Sequence, residues 1–377
     1  MKVQLLDLSA QYRKIRKEVL EEVKKVCDSQ HYILGRNVSA LETEVAAYCG
    51  ARFAVGVASG TDALLLALMA ANVGPGDKVV TTPFTFFATA GSIARLGAVP
   101  VFVDIDPDTY NLDPGAFDAL LKKGAKGIKA VIPIHLYGQC ADMGRINRTA
   151  ERHGVKVIED AAQAIGAEYD GKRACSFGDM ACLSFYPTKN LGGIGDGGMI
   201  TTDNEKTAER LRMLRVHGSR VRYYHDEVGL NSRLDEIQAA VLRVKLKRLD
   251  AWADARIKNA GRYGALFAKA GLAGNVTTPF VAPGRRMVYN QYVIRAKRRD
   301  ELRAHLGAAG VGSEIYYPVP LHLQKCFKYL GCKKGAFPVS EQAAKEVLAL
   351  PIYPELKPAE QKYVVETITG FYARNSR

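Results

Sequence analysis

The chain has 377 residues, 47% hydrophobic and 24% charged, an ordinary globular composition with room for two domains. The formal charge is +14, but the basic residues are spread along the chain and mixed with acids. With no basic tail and no zinc-finger spacing, this disfavours nucleic acid and leaves a phosphate-bearing ligand as the natural anionic partner.

In chain order, residues 10–26 carry a helical pattern with acids in it, unlike the apolar centre of a signal peptide. The longest clearly apolar run, 63–71, is too short to span a bilayer. The seven cysteines, Cys27, Cys49, Cys140, Cys175, Cys182, Cys326 and Cys332, form no C-x-x-C pair, and their number is odd. A disulfide framework and a zinc site are therefore disfavoured, and a reducing cytoplasmic compartment fits best. The seven histidines show no H-E-x-x-H or other metal-binding spacing, so no metal is expected.

From about residue 53 to 202, short β-branched runs (79–81, 99–103, 130–134, 155–158) alternate with helical stretches, and Gly/Pro turns separate them. This predicts a largely parallel α/β sheet. Within it, residues 54–58 read as a strand, Ser59–Gly60–Thr61–Asp62 as a tight turn, and the apolar run from Ala63 as a helix. Free N–H groups and the positive dipole at such a helix start suit a phosphate, and Gly60 allows close approach. The bland alternative is a plain N-cap, with Ser59 and Asp62 forming a capping box.

The apolar run before Glu159–Asp160–Ala161–Ala162–Gln163 ends in acid, at the kind of strand end where α/β folds place ligands. Asp160 could stay ionised against a protonated pyridine nitrogen, or cap a helix, or do both. Next, an apolar strand over 181–184 runs into Pro187–Thr188–Lys189–Asn190 and a glycine-rich loop. A lysine held at such a buried edge loses basicity and becomes nucleophilic, as Schiff-base chemistry requires. Gly193 to Gly198 matches G-x-G-x-x-G, but it precedes a strand at 199–202 rather than a helix, so the dinucleotide reading fails.

Residues 232–249 read as one long helix with apolar residues Leu234, Ile237, Ala240, Val241, Val244 and Leu246. The charged run from Arg243 to Asp250 reads as its solvated face. The division predicted is 1–249 as a large α/β domain and 250–377 as a smaller α+β domain, with a strand at 292–294 and two or three helices.

Together these segments resemble the DegT/DnrJ/EryC1/StrS sugar aminotransferases, of the fold-type-I class that binds pyridoxal 5'-phosphate (PLP). Matching segments recur in order over nearly the whole chain, from His31–Tyr32–Ile33–Leu34–Gly35 through Pro83 to Thr89 and His135 to Gly138 to Tyr316–Tyr317–Pro318–Val319–Pro320–Leu321–His322. The resemblance implies a mostly parallel seven-stranded sheet with a smaller C-terminal domain. It implies Lys189 as the Schiff-base lysine, Asp160 on the pyridine nitrogen and Gln163 near the ring hydroxyl. It implies Phe86 stacked on the ring, with Gly60, Thr61 and Ser184 at the phosphate. Asn231 is expected to reach the phosphate from the partner subunit of a homodimer. Arg233, Tyr316, Tyr317 and His322 are candidate substrate contacts.

The implied reaction moves an amino group from L-glutamate to a nucleotide-linked keto-sugar for surface glycan synthesis, such as lipopolysaccharide O-antigen. The likeness leans toward C-3 of a UDP- or dTDP-sugar, with C-4 amination or a non-catalytic PLP-binding regulator as alternatives. Tyr316 stands where the glucuronate enzymes of the family carry a histidine, which counts against a uronate.

Overall fold

The alternation between residues 53 and 202 builds one seven-stranded sheet in the computed structural model, which describes residues 1–373. Its strands are β1 (Phe53–Val57), β2 (Lys78–Thr81), β3 (Val99–Phe102), β4 (Ile128–Val131), β5 (Lys156–Asp160), β6 (Met180–Ser184) and β7 (Gly198–Thr202). Their order across the sheet is β1–β7–β6–β5–β4–β2–β3. The pairs β2–β3, β2–β4, β4–β5 and β5–β6 are parallel, and β7 runs antiparallel to both β1 and β6. The expected mostly parallel α/β sheet is therefore present.

Helices cover both faces, which is why the strands read as apolar runs rather than alternating ones. The helix Gly60–Ala70 is apolar almost all round; Ala63, Leu64, Leu66, Ala67 and Leu68 lie in one cluster with Val55, Val79, Ile158 and Ile200. Burying each of those leucines contributes about 1.5–3 kcal/mol, which fixes the start of this helix against the sheet edge. Because six strands run the same way, the ends of β1, β5 and β6 share one edge with the start of β7.

The C-terminal third adds a three-stranded antiparallel sheet of Val276–Thr277, Tyr292–Ala296 and Val347–Leu350. Tyr263, Phe267, Ile294, Leu302, Leu348, Val364 and Ile368 form its core with three helices, Leu249–Ala270, Arg299–Ala308 and Pro358–Ala373. Val3 joins this core, and its carbonyl accepts from the Gly312 N–H at 2.8 Å.

Three readings need correction here. The helix predicted over 232–249 spans only Glu236–Leu246, and a separate helix begins at Leu249. Residues 231–235 are instead held extended, by bridges of Asn231 to Val216 and of Asp235 to Ile33. The predicted solvated face also fails: Arg243 pairs with Glu44 and bonds Asn37, and Lys245 is buried. Beyond residue 249 there are four α-helices among the described residues, Pro338–Glu346 being the fourth. No helix among the described residues is long and apolar enough to cross a membrane.

Candidate active site

At the end of β1 the chain turns through Ser59 into the Gly60–Ala70 helix. Ser59 is its N-cap, and its Oγ accepts from the Asp62 N–H at 3.1 Å. The capping box does not close: the Asp62 carboxylate accepts from Ser232 Oγ at 2.8 Å, and Ser232 Oγ in turn accepts from the Ala58 N–H at 3.1 Å. The Gly60 and Thr61 N–H groups belong to the first turn, which has no intrahelical acceptors. The backbone here is crowded on the sheet side. A Cβ at Gly60 would lie 2.6 Å from Ser184 Cβ, and one at Gly198 would lie 2.4 Å from the Ser59 carbonyl oxygen. Gly60, Thr61 and Ser184 thus form a tight cradle at the ends of β1 and β6. Gly198, the last glycine of the false dinucleotide motif, is there to let β7 pass beneath it.

Asp160 ends β5 and is only 6% exposed. Its Oδ2 accepts from Thr89 Oγ1 at 2.9 Å and its Oδ1 from the Ala162 N–H at 3.2 Å. Burial pushes the carboxyl pKa up; the Thr89 hydroxyl, the Ala162 N–H and the positive charge of Lys189 pull it back. The adjacent Glu159 faces the other way. It is fully buried against His135 Nε2 at 2.8 Å and the N–H groups of Cys175, Phe177 and Gly178, so it anchors the following loop rather than the site.

Lys189 follows β6 in a loop closed by two backbone bonds, Lys189 N–H to the Tyr186 carbonyl at 2.9 Å and Gly193 N–H to the Phe185 carbonyl at 2.7 Å. Burial depresses the Lys189 pKa, and the negative charge of Asp160 partly restores it. Each group senses the other's charge, and their shifts are opposite, as expected for an acid and an amine tuned by one buried environment.

Phe86 is 58% exposed, unusual for a phenylalanine beside a core. Tyr317 stands 6.3 Å away, centroid to centroid. The Tyr317 hydroxyl accepts from Gln163 Nε2 at 3.2 Å, and Gln163 Oε1 accepts from the Tyr137 N–H at 2.7 Å. Tyr137 also donates its hydroxyl to the Tyr316 carbonyl. Lys189, Asp160, Gln163, Phe86, Tyr317 and the cradle are therefore brought to one sheet edge.

Asn231 and Arg233 border a neighbouring cavity of about 710 Å³ with Ala58, Ser59 and Gln238. Arg233 makes no ion pair among the described residues, and the carboxylates Asp196 and Asp235 line the same cavity. Tyr316 lines a small space of about 110 Å³ with Thr188 and Gln291. His322 is not presented to the cleft. It is 2% exposed, bonded through Nε2 to Glu341 at 3.1 Å and set edge-on against Phe337. Its place is set by packing, because the Leu321 N–H is tied to the Pro83 carbonyl and the chain turns inward there. Sequence reasoning missed Thr89 and Tyr137, although both lie in segments that carry the resemblance.

Residues 13–369 match the DegT/DnrJ/EryC1/StrS aminotransferase family. The chain belongs to that family. Among curated relatives of the aminotransferase, a "pleiotropic regulatory protein" of Geobacillus stearothermophilus is 53% identical, with 99% of each chain covered. The UDP-N-acetyl-3-dehydro-alpha-D-glucosamine 3-aminotransferase of Acidithiobacillus ferrooxidans is 44% identical, with 94% of each covered. The dTDP-3-amino-3,4,6-trideoxy-alpha-D-glucose transaminase of Streptomyces venezuelae is 43% identical, covering 99% of this chain and 97% of its own. The aminotransferase superposes on the crystal structure of S. venezuelae DesV with a TM-score of 0.93 at 42% identity, covering 98% of each chain. A structure of NtdA from Bacillus subtilis with the aminated cofactor PMP bound matches with a TM-score of 0.87 at 30% identity, over 97% of this chain and 82% of that one.

The aminotransferase is PLP-dependent. Its residues fit the cofactor: an exposed aromatic face at Phe86, a buried carboxylate at Asp160, an amine of lowered basicity at Lys189, and a glycine-gated helix start for the phosphate.

Proposed function

We propose that this aminotransferase moves the amino group of L-glutamate to the 3-keto carbon of a UDP- or dTDP-linked sugar, for the synthesis of a surface glycan. The observation that carries this reading is the convergence of Lys189 and Asp160, with opposed pKa shifts, beside the Gly60 cradle. The names of the relatives supply the substrate class and favour C-3 over C-4.

PLP supplies the electron sink for the reaction when bound. Gly60, Thr61 and Ser184 would hold its phosphate, Phe86 would cover its ring, and Gln163 would bond near the ring hydroxyl. Ionised Asp160 would keep the pyridine nitrogen protonated, and Thr89 would keep Asp160 ionised. Lys189 would hold the cofactor covalently. Once displaced by substrate, its Nζ would take the proton from the substrate carbon as a general base and return it on the other side of the transfer. Arg233 suits a diphosphate or a carboxylate, since guanidinium binds either bidentately. Tyr316 and Tyr317 would wall the sugar side. We further propose a cytoplasmic homodimer in which the partner's Asn231 completes the phosphate site, and a division near residue 249 into a large and a small domain. The unpaired cysteines support the reducing compartment.

The test is the absorbance spectrum of the PLP-loaded enzyme before and after L-glutamate, then a panel of UDP- and dTDP-linked keto-sugars. Loss of the lysine-bound PLP band on adding glutamate, with amine appearing at C-3 of one sugar, is the expected result. Amination at C-4 would move the assignment within the family.

A second reading, a PLP-binding regulator, draws on the name of the 53%-identical relative. A PLP band indifferent to glutamate and to every keto-sugar would favour it.

A further inference from the structure

The buried lysine at position 245 has no role in the chemistry above. Lys245 sits near the end of the Glu236–Leu246 helix and is 7% exposed. No carboxylate pairs with it among the described residues. Its Nζ donates to one acceptor, the Gly192 carbonyl, at 2.5 Å. A buried ammonium without a counter-ion is costly, and burial alone lowers this one's pKa to about 8. An apolar residue would fill the same place without that cost, so the ammonium calls for an explanation at its acceptor.

Gly192 lies three residues after Lys189, within the loop whose ends meet at Phe185 and Gly193. The loop is wound so tightly there that a Cβ at Gly192 would fall 2.3 Å from the Pro187 carbonyl oxygen. The same helix holds the loop at a second point, where Gln238 Oε1 accepts from the Ile194 N–H at 2.8 Å. On the other flank, Asn190 donates to the Val288 carbonyl at 3.1 Å and accepts from Asn290 Nδ2 at 2.8 Å. Of these ties, only the Lys245 bond is charge-assisted, and such bonds are roughly twice as strong as neutral ones.

We propose that Lys245 is a positioning residue, whose ammonium pins the Gly192 carbonyl and thereby holds the Lys189 amine in place to capture the PLP aldehyde. The proposal rests on Lys189 being the Schiff-base lysine.

The experiment compares the two cofactor forms. PLP needs Lys189 for covalent capture; pyridoxamine phosphate shares the phosphate and ring contacts but forms no bond to lysine. Lys245→Met keeps the apolar stem and removes the donor. Apoenzyme is mixed with PLP, and the lysine-bound absorbance band is followed in time. Pyridoxamine phosphate affinity is measured by titration. The expected result is band formation slowed about tenfold or more, the scale of one charged hydrogen bond, with pyridoxamine phosphate affinity unchanged. Lys245→Gln, which retains an N–H donor, recovers part of the rate, and it carries the comparison with wild type should Lys245→Met fail to fold. An unchanged capture rate overturns the proposal. So does equal weakening of both cofactor forms, which would mark Lys245 as a purely structural residue. Lys189→Ala is run alongside: a band that persists in it would instead overturn the assignment of Lys189.

Discussion

Thr89→Val isolates how the fold keeps a buried acid charged. The Thr89 hydroxyl donates to Asp160 Oδ2 at 2.9 Å, with both side chains buried. Valine fills the same space without the donor. A hydrogen bond to a charged group contributes about 1.5–3 kcal/mol, and about 1.4 kcal/mol corresponds to one pKa unit. The Asp160 pKa, already raised by burial, therefore climbs further when the hydroxyl is lost. Because the folded-state pKa is raised and the unfolded one is ordinary, ionising Asp160 costs the apoenzyme stability as pH rises through the folded pKa. The variant enlarges that cost. Apo Thr89→Val is thus less stable than wild type at neutral pH, and the gap narrows toward acid pH, where both forms hold the proton. In the loaded enzyme the acid limb of kcat/KM moves to higher pH, and Thr89→Ser moves it back. Thermal unfolding of the apoenzyme across pH, together with kcat/KM profiles, reads both effects. An acid limb that stays in place with a pH-independent stability difference would refute the reasoning, reducing Thr89 to a packing residue.

Asp160→Asn removes the ionisable group, so the apoenzyme gains stability over wild type as pH rises toward neutrality, while turnover falls by about a hundredfold or more, the scale of losing one positioned acid–base group; calorimetry and steady-state rates check the opposed signs. Lys189→Ala abolishes turnover and the lysine-bound absorbance band yet still binds pyridoxamine phosphate, and near-normal activity in it would end the mechanism. Gly60→Ala drives a methyl group to 2.6 Å from Ser184 Cβ, an overpacking cost of about 1–3 kcal/mol, so PLP and inorganic phosphate both bind more weakly by equilibrium titration; an unaltered affinity for either would place the phosphate elsewhere.

Much of this site was legible because its residues lie at the ends of strongly patterned strands. The apolar runs before Asp160 and before Lys189 fixed where β5 and β6 stop, and a parallel sheet then forces those ends to one edge. The turn at Ser59 was legible for the same reason, although its capping box was not. Asp62 is diverted to Ser232, 170 residues away in the chain. The helix from 232 failed because Asn231, just before it, pairs with Val216 and Asp235, within it, pairs with Ile33, and periodicity within one segment carries no trace of such partners. His322 stood among the candidate substrate contacts because it lies in a segment that carries the resemblance; its burial against Glu341 and Phe337 was invisible from its neighbours in sequence. Lys245 misled in the opposite sense, since a lysine in a charged helical run is ordinarily solvated.

By itself the sequence determined the sheet, the turn at Ser59 and the strand-end positions of Asp160 and Lys189, because each is set by local pattern: apolar strand, breaker, then a polar residue at the strand end. Only the tertiary structure decided what tunes them. Thr89 on Asp160, Tyr137 behind Gln163 and Lys245 under the lysine loop are contacts between distant segments, 71, 26 and 53 residues apart. Their energies arise from burial, which is a property of the packed chain and of no single stretch of it.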